Sequence, residues 1–178
     1  MIKLIDILNE VKGRKILHIY DFDDTLVKTN TSVGIIDAEG NKQVLSSHEF
    51  ALYKLKPGEK YDFSEFDAMI RGSQPILKNI KAISQSLNDP SIKTTVLTAR
   101  RLAFPVMKHL RDKYGVNVYV VGVAGSNPEL KADWIENQVQ KGYKTIKFVD
   151  DSQKNLDAVE KRLEKYPDID LTLINPLK

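Results

Sequence analysis

Two hydrophobic patterns take turns along this chain: short continuous apolar runs, and longer segments in which apolar positions recur every three or four residues. Ile16-Leu17-His18-Ile19-Tyr20 is rich in β-branched and aromatic residues and reads as a strand from about Lys15 to Asp21, buried on both faces. Ahead of it, Ile2, Leu4, Ile5, Leu8 and Val11 fall at helical spacing, with Gly13 closing the element. Behind it, Val33 to Leu45 splits into two strand-like pieces around an Asp/Gly turn, which predicts a β-hairpin. Ser46 to Gly72 has no regular period and is broken by Pro57-Gly58. Pro75 is placed to open a helix through about Leu87, with Ile76, Leu77, Ile80, Ile83 and Leu87 on one face.

From there the alternation is simple. A strand over Thr94 to Thr98 precedes a helix from Leu102 to Tyr114, closed by Gly115. A strand over Asn117 to Val123 leads to Ser126-Asn127-Pro128, which caps a helix to about Lys141. A strand over Thr145 to Val149, a helix over about Ser152 to Lys165 and a strand over Leu171 to Ile174 complete the chain. Strands alternating with helices of this length predict an α/β fold, a Rossmann-like three-layer sandwich with a central parallel five-stranded sheet. Residues 1–178 read as one domain, with 28–74 as a small insertion within it.

Composition narrows the picture. A chain of 178 residues with 42% hydrophobic and 29% charged residues is that of a globular domain. The net charge of +3 is compatible with a phosphorylated or nucleic-acid partner without arguing for one. With no Cys, thiolate metal sites, disulfides and Cys nucleophiles are excluded. Lys3, Asp6, Glu10 and Lys12 interrupt the apolar positions of the first segment, and no long apolar run follows, so a cytoplasmic protein without a membrane span is expected.

The candidate chemistry lies where strands end. The first ends in Asp21, Asp23 and Asp24, the second in Thr98, Ala99 and Arg100, and the fourth in Asp150 and Asp151, while Lys131 falls in the first turns of the helix between the third and fourth. Taken alone, the acidic cluster reads equally as a solvated turn. Its meeting with the other groups along one carboxyl edge, where open α/β sheets bind ligands, points to phosphoryl chemistry. Asp21 and Asp150 are hard oxygen ligands suited to magnesium, Asp21 is placed as nucleophile and Asp23 as general acid and base, and Thr98 and Lys131 are suited to phosphate oxygens.

Asp21-Phe22-Asp23-Asp24-Thr25-Leu26, Val96-Leu97-Thr98-Ala99-Arg100, Lys131 and Phe148-Val149-Asp150-Asp151-Ser152 together resemble the motifs of the haloacid dehalogenase superfamily of phosphohydrolases. The resemblance implies a magnesium-dependent phosphatase that passes through an aspartyl-phosphate. It assigns Asp21, Asp23, Thr98 and Lys131 to catalysis, Thr98, Arg100 and Lys131 to substrate, and Asp21, Asp23 through its carbonyl, Asp150 and Asp151 to the metal, Asp151 alternatively partnering Lys131. Asp24 and Thr25 are expected to shape the turn and orient Asp23, and Asp151 or Ser152 to cap the following helix.

The resemblance also implies a cap between Thr25 and Thr98, here small, so that the site is relatively open. By analogy the phosphorylated substrate is a small molecule or a nucleic-acid end, with Tyr53, Lys54, Lys56, Lys60, Arg71, Arg100 and Arg101 as candidate contacts. A non-catalytic domain that binds a phospholigand or protein, and a phosphotransferase, are the alternatives. None of the three histidines is assigned to catalysis: His18 reads as a core residue of the strand, His109 falls in a helix and His48 in the insertion, and Trp134 reads as helix packing.

Overall fold

The computed structural model describes residues 15–45, 49 and 52–178, so the helix read over Ile2 to Val11 and the reading of His48 lie outside the described residues. In chain order the elements are β1 (Lys15–Tyr20), β2 (Val27–Thr29), β3 (Val33–Ile36), β4 (Lys42–Leu45), β5 (Lys60–Asp62), α1 (Ser64–Asp67) and β6 (Ser73–Pro75). They continue as α2 (Leu77–Leu87), β7 (Ile92–Thr98), α3 (Ala103–Tyr114), β8 (Tyr119–Gly122), α4 (Pro128–Gln140), β9 (Tyr143–Val149), α5 (Gln153–Leu163) and β10 (Asp170–Ile174).

β1 is buried on both faces because it is the centre of a parallel sheet of order β10-β9-β1-β7-β8. Side chains alternate across a strand, and they sort two cores. Tyr20 and Val96 join Ile83 of α2 and Val106 and Leu110 of α3 on one face. Leu17, Ile19, Ile146 and Phe148 pack against Ile135 and Val139 of α4 and Leu156 and Val159 of α5 on the other. The protein is therefore an α/β three-layer fold, as the hydrophobic pattern predicted.

The chain leaves β1 toward β7 and β8, then crosses back to β9 and β10 on the opposite side. The strand order thus reverses at β1, and the crevice at the carboxyl ends of β1, β7 and β9 is the topological switch point. Register makes this concrete: Tyr20 is level with both Val96 and Val149, so Asp21 and Asp150 are the next residues up on neighbouring strands.

Most helix ends follow local sequence. Asn127 caps α4 by accepting from the Glu129 N–H at 3.1 Å, with Pro128 in the first turn, and Gly115 ends α3 at φ 66°, where a side chain would be strained. Pro75 is a correction. It is the last residue of β6, paired antiparallel with Val27, and α2 begins only at Leu77. The two-stranded β2/β6 ladder carries the chain into and out of the insertion, an edge on which a residue without an N–H is tolerated.

Within the insertion, β3 and β4 form the expected hairpin, and β5 adds a third antiparallel strand from the segment without a regular period. Ser73 Oγ lies 2.7 Å from His109 Nε2 and 2.5 Å from the Tyr114 hydroxyl, tying β6 to α3. His18 is likewise engaged, with Ser86 Oγ 2.7 Å from its Nδ1, and Trp134 packs against the second core. Among the described residues no helix is long and apolar enough to cross a membrane.

Candidate active site

Asp21 leaves the top of β1 with its N–H bonded to the Val149 carbonyl at 2.9 Å, and Asp150 leaves β9 with its N–H bonded to the Ile174 carbonyl at 3.1 Å. Both carboxylates are therefore fixed by continuations of the sheet ladder. Between them sits Lys131, which α4 delivers because its neighbours Ala132 and Ile135 are anchored in the second core. Its Nζ donates to Asp21 Oδ1 at 2.6 Å and to Asp150 Oδ2 at 2.8 Å, and only 3% of the residue is exposed.

Asp150 is further held by Asn155 Nδ2, which donates to both of its oxygens at 3.0 Å, and by the Ser152 N–H at 2.9 Å. Ser152 occupies the N-cap position of α5 without a side-chain cap bond, so the expected capping by Ser152 gives way to Asp150 receiving that N–H. Asp151 pairs with Thr25 and not with Lys131. The Thr25 hydroxyl donates to Asp151 Oδ1 at 3.2 Å and accepts from the Asp151 N–H at 3.0 Å, while the Asn79 amide holds the Thr25 carbonyl at 2.7 Å. Thr25 is thus a strut to the β9 end and not the residue that orients Asp23.

Asp21, Asp150 and Asp151 each bring one carboxylate oxygen into a group whose members all lie within 4.8 Å of one another. Three hard oxygens at that spacing suit a magnesium ion, which binds through few carboxylates and keeps waters for a substrate phosphate to replace. The charge balance agrees. With Lys131 protonated and all three carboxylates ionised, the cluster carries an excess of two negative charges that a divalent cation would neutralise.

Burial pushes the Asp21 carboxyl well above the usual carboxylate range; Lys131 pulls it back, and Asp150 and Asp23 push it further up. Burial also works against the Lys131 ammonium, but Asp21 and Asp150 more than offset it, so its pKa rises. The Lys131 ammonium is thus held charged between the two carboxylates. Asp151 is raised by burial first and by Asp150 second.

The Asp23 carboxylate is not part of that cluster, which leaves its carbonyl as the group the resemblance assigns to the metal. The loop after β1 is tight, with the Leu26 N–H donating to the Phe22 carbonyl at 2.9 Å and Asp24 at φ 55°. It turns Asp23 toward Arg100, which forms a fork. Nε donates to Oδ2 and Nη2 to Oδ1, each at 2.8 Å, and Thr29 Oγ1 donates to Oδ1 at 2.9 Å. Arg100, expected at the substrate, is 2% exposed and also donates from Nη2 to Thr31 Oγ1 at 2.9 Å and from Nη1 to the Phe66 carbonyl at 3.2 Å. Phe22 and Phe66 lie against the guanidinium, 5.5 and 4.9 Å from ring centroid to Cζ.

Thr98 ends β7 fully buried, its Oγ1 accepting from the Arg100 N–H at 3.2 Å. Of the other cations proposed as contacts, Arg101 pairs with Asp67 at 2.6 Å, while Lys54, Lys56, Lys60 and Arg71 are exposed on the insertion. Tyr53 donates to Glu59 within the insertion. Thr29, Thr31, Phe66, Asn79 and Asn155 were not singled out in sequence. Asn155 alone carried a signal, one turn into a helix that starts beside Asp150.

Comparisons with protein-family models, with curated proteins and with solved structures found no match for this chain.

Proposed function

We propose that this protein is a phosphatase that hydrolyses phosphate monoesters with magnesium, through an aspartyl-phosphate on Asp21. One observation carries the reading: Asp21, Asp150 and Asp151 converge at the switch point of the sheet, with the Lys131 ammonium locked between two of them. The motifs that resemble haloacid dehalogenase phosphohydrolases support the same assignment, and nucleotides or nucleic-acid ends are the substrates that a small insertion suits.

Asp21, Asp150 and Asp151 would hold magnesium, Asp150 by giving up one of the two bonds it receives from Asn155, and the ion would supply charge neutralisation for the nucleophile and polarise the phosphoryl oxygens. The free oxygen of Asp21 attacks phosphorus. As the P–O bond to the leaving group breaks, Asp23 gives its proton to the departing oxygen. In the second step the Asp23 carboxylate takes a proton from water as that water attacks phosphorus, the P–O bond to Asp21 breaks, and inorganic phosphate is released. Lys131 keeps Asp21 in place and sets a positive charge beside the developing negative one.

The test is release of inorganic phosphate from sugar phosphates, mononucleotides, phosphopeptides and oligonucleotides with 3′ or 5′ phosphates, with magnesium or with EDTA. Magnesium-dependent release from at least one ester is expected, falling by more than about 1000-fold in Asp21→Asn. Release that survives in Asp21→Asn would exclude the aspartyl-phosphate.

A further inference from the structure

The proton chemistry assigned to Asp23 needs one of its oxygens to be free, and the hydrogen bonds decide which. A carboxylate offers about four lone-pair positions, two on each oxygen. Oδ1 receives both Arg100 Nη2 at 2.8 Å and Thr29 Oγ1 at 2.9 Å, so its two positions are filled. Oδ2 receives only Arg100 Nε, at 2.8 Å. The open position is thus on Oδ2, and the Asp23 side chain that carries it is 29% exposed while that of Arg100 is 1% exposed.

The same guanidinium joins three parts of the chain. Phe22 of the nucleophile loop lies against it, Thr31 just beyond β2 accepts from Nη2, and the insertion supplies both the Phe66 ring and the Phe66 carbonyl. Asp67, next to Phe66, pairs with Arg101, so α1 is seated on the turn after β7 at two successive residues. A fork of this kind fixes orientation as well as charge, because a planar guanidinium meets a carboxylate in one geometry.

We propose that Arg100 is a positioning residue for Asp23: with Thr29 it fills Oδ1, leaves a place on Oδ2 for the transferred proton, and makes that alignment depend on the seating of the insertion through Phe66. The inference rests on the phosphatase reading. It separates two roles that an arginine beside this site can have. An arginine that binds the phosphate acts on every ester alike, whereas one that acts through the general acid matters most where the leaving group needs a proton.

The experiment compares an alkyl phosphate, whose alkoxide must be protonated, with p-nitrophenyl phosphate, whose phenolate leaves unaided, in wild type, Arg100→Ala, Arg100→Lys, Thr29→Val and Phe66→Ala. In Arg100→Ala, kcat on the alkyl ester is expected to fall by about 100-fold or more and on the aryl ester by less than about 10-fold, with KM little changed. Guanidinium ion added to Arg100→Ala recovers alkyl turnover in part. Arg100→Lys, which keeps the charge and loses the fork, falls between, and Thr29→Val and Phe66→Ala show the same selectivity at smaller size.

Equal losses on both esters, or a raised KM at constant kcat, would overturn the proposal, and unchanged selectivity in Phe66→Ala would overturn the link to the insertion. Circular dichroism and thermal melting establish that each variant is folded, and if Arg100→Ala is not, Arg100→Lys and Phe66→Ala carry the comparison. A wild-type protein that releases no phosphate with magnesium from these two esters or from any ester of the panel above would refute the phosphatase reading itself and this inference with it, an outcome that no variant result can imitate.

Discussion

Lys131 is the residue on which the charge balance of the site turns. Its ammonium is buried between Asp21 and Asp150, and removing one member of such a group leaves the others charged without a partner. Lys131→Met is expected to cost about 3 kcal/mol in EDTA, roughly 6–12 °C of melting temperature for a chain of this size. Magnesium should recover part of that loss and raise the variant's melting temperature more than the wild type's, because a cation that binds only the folded state adds stability. A loss of the same size with and without magnesium would show that the three carboxylates hold no ion. Lys131 was legible because strand and helix periodicity placed it near the sheet edge. The partner of Asp23 was not, because Arg100 reaches it only when β7 lies beside β1 and Phe66 covers the guanidinium.

At the level of elements, the turn that presents Thr98 and Arg100 leans on β8. The Val123 N–H donates to the Thr98 carbonyl at 2.9 Å, and the Gly125 N–H to the Ala99 carbonyl at 3.0 Å. Gly122 lets the backbones come this close, since a Cβ there would meet the Arg100 carbonyl oxygen at 2.4 Å and that of Arg101 at 2.8 Å. Neither atom can rotate away as a side chain would. Gly122→Ala is expected to destabilise the protein by about 2–3 kcal/mol, read as a lower urea midpoint with an unchanged slope. It should also reduce the turnover proposed for this site by displacing Arg100; full stability in the variant would refute the close approach. The β3/β4 hairpin was readable from alternation around its turn. The β2/β6 ladder was not, because three-residue strands carry too little periodicity to separate from loop, and their pairing joins positions far apart in sequence.

The whole molecule is held by two cores on the faces of one sheet, and the layer carrying α4 and α5 has a polar clamp as well. Glu136 accepts from Tyr166 at 2.8 Å, Lys165 at 2.6 Å and Arg162 at 3.1 Å, and Arg162 also pairs with Glu129 and Asp133. Hydrogen bonds from Lys165 first, then from Tyr166, hold the Glu136 carboxyl down to about 2 from an ordinary value of 4.5. A depressed carboxyl pKa adds stability that is fully present above pH 4.5 and is lost as pH falls toward 2. Glu136 itself is 9% exposed, but its partners Lys165 and Arg162 reach solvent, so the contribution is about 1–2 kcal/mol. Glu136→Gln should therefore lose stability at pH 7 and match the wild type near pH 2, as checked by urea unfolding across that range; an equal gap at both ends would assign the effect to packing.

By itself the sequence determined the class of fold, the succession of strands and helices, and which residues stand at strand ends, because local periodicity and turn chemistry act over a few neighbouring residues. Only the tertiary structure decided which strand ends are neighbours. The order β10-β9-β1-β7-β8 brings Asp21 beside Asp150, sets Lys131 between them and turns Asp23 to Arg100. Those contacts depend on burial and register across the sheet, which no short stretch of chain contains.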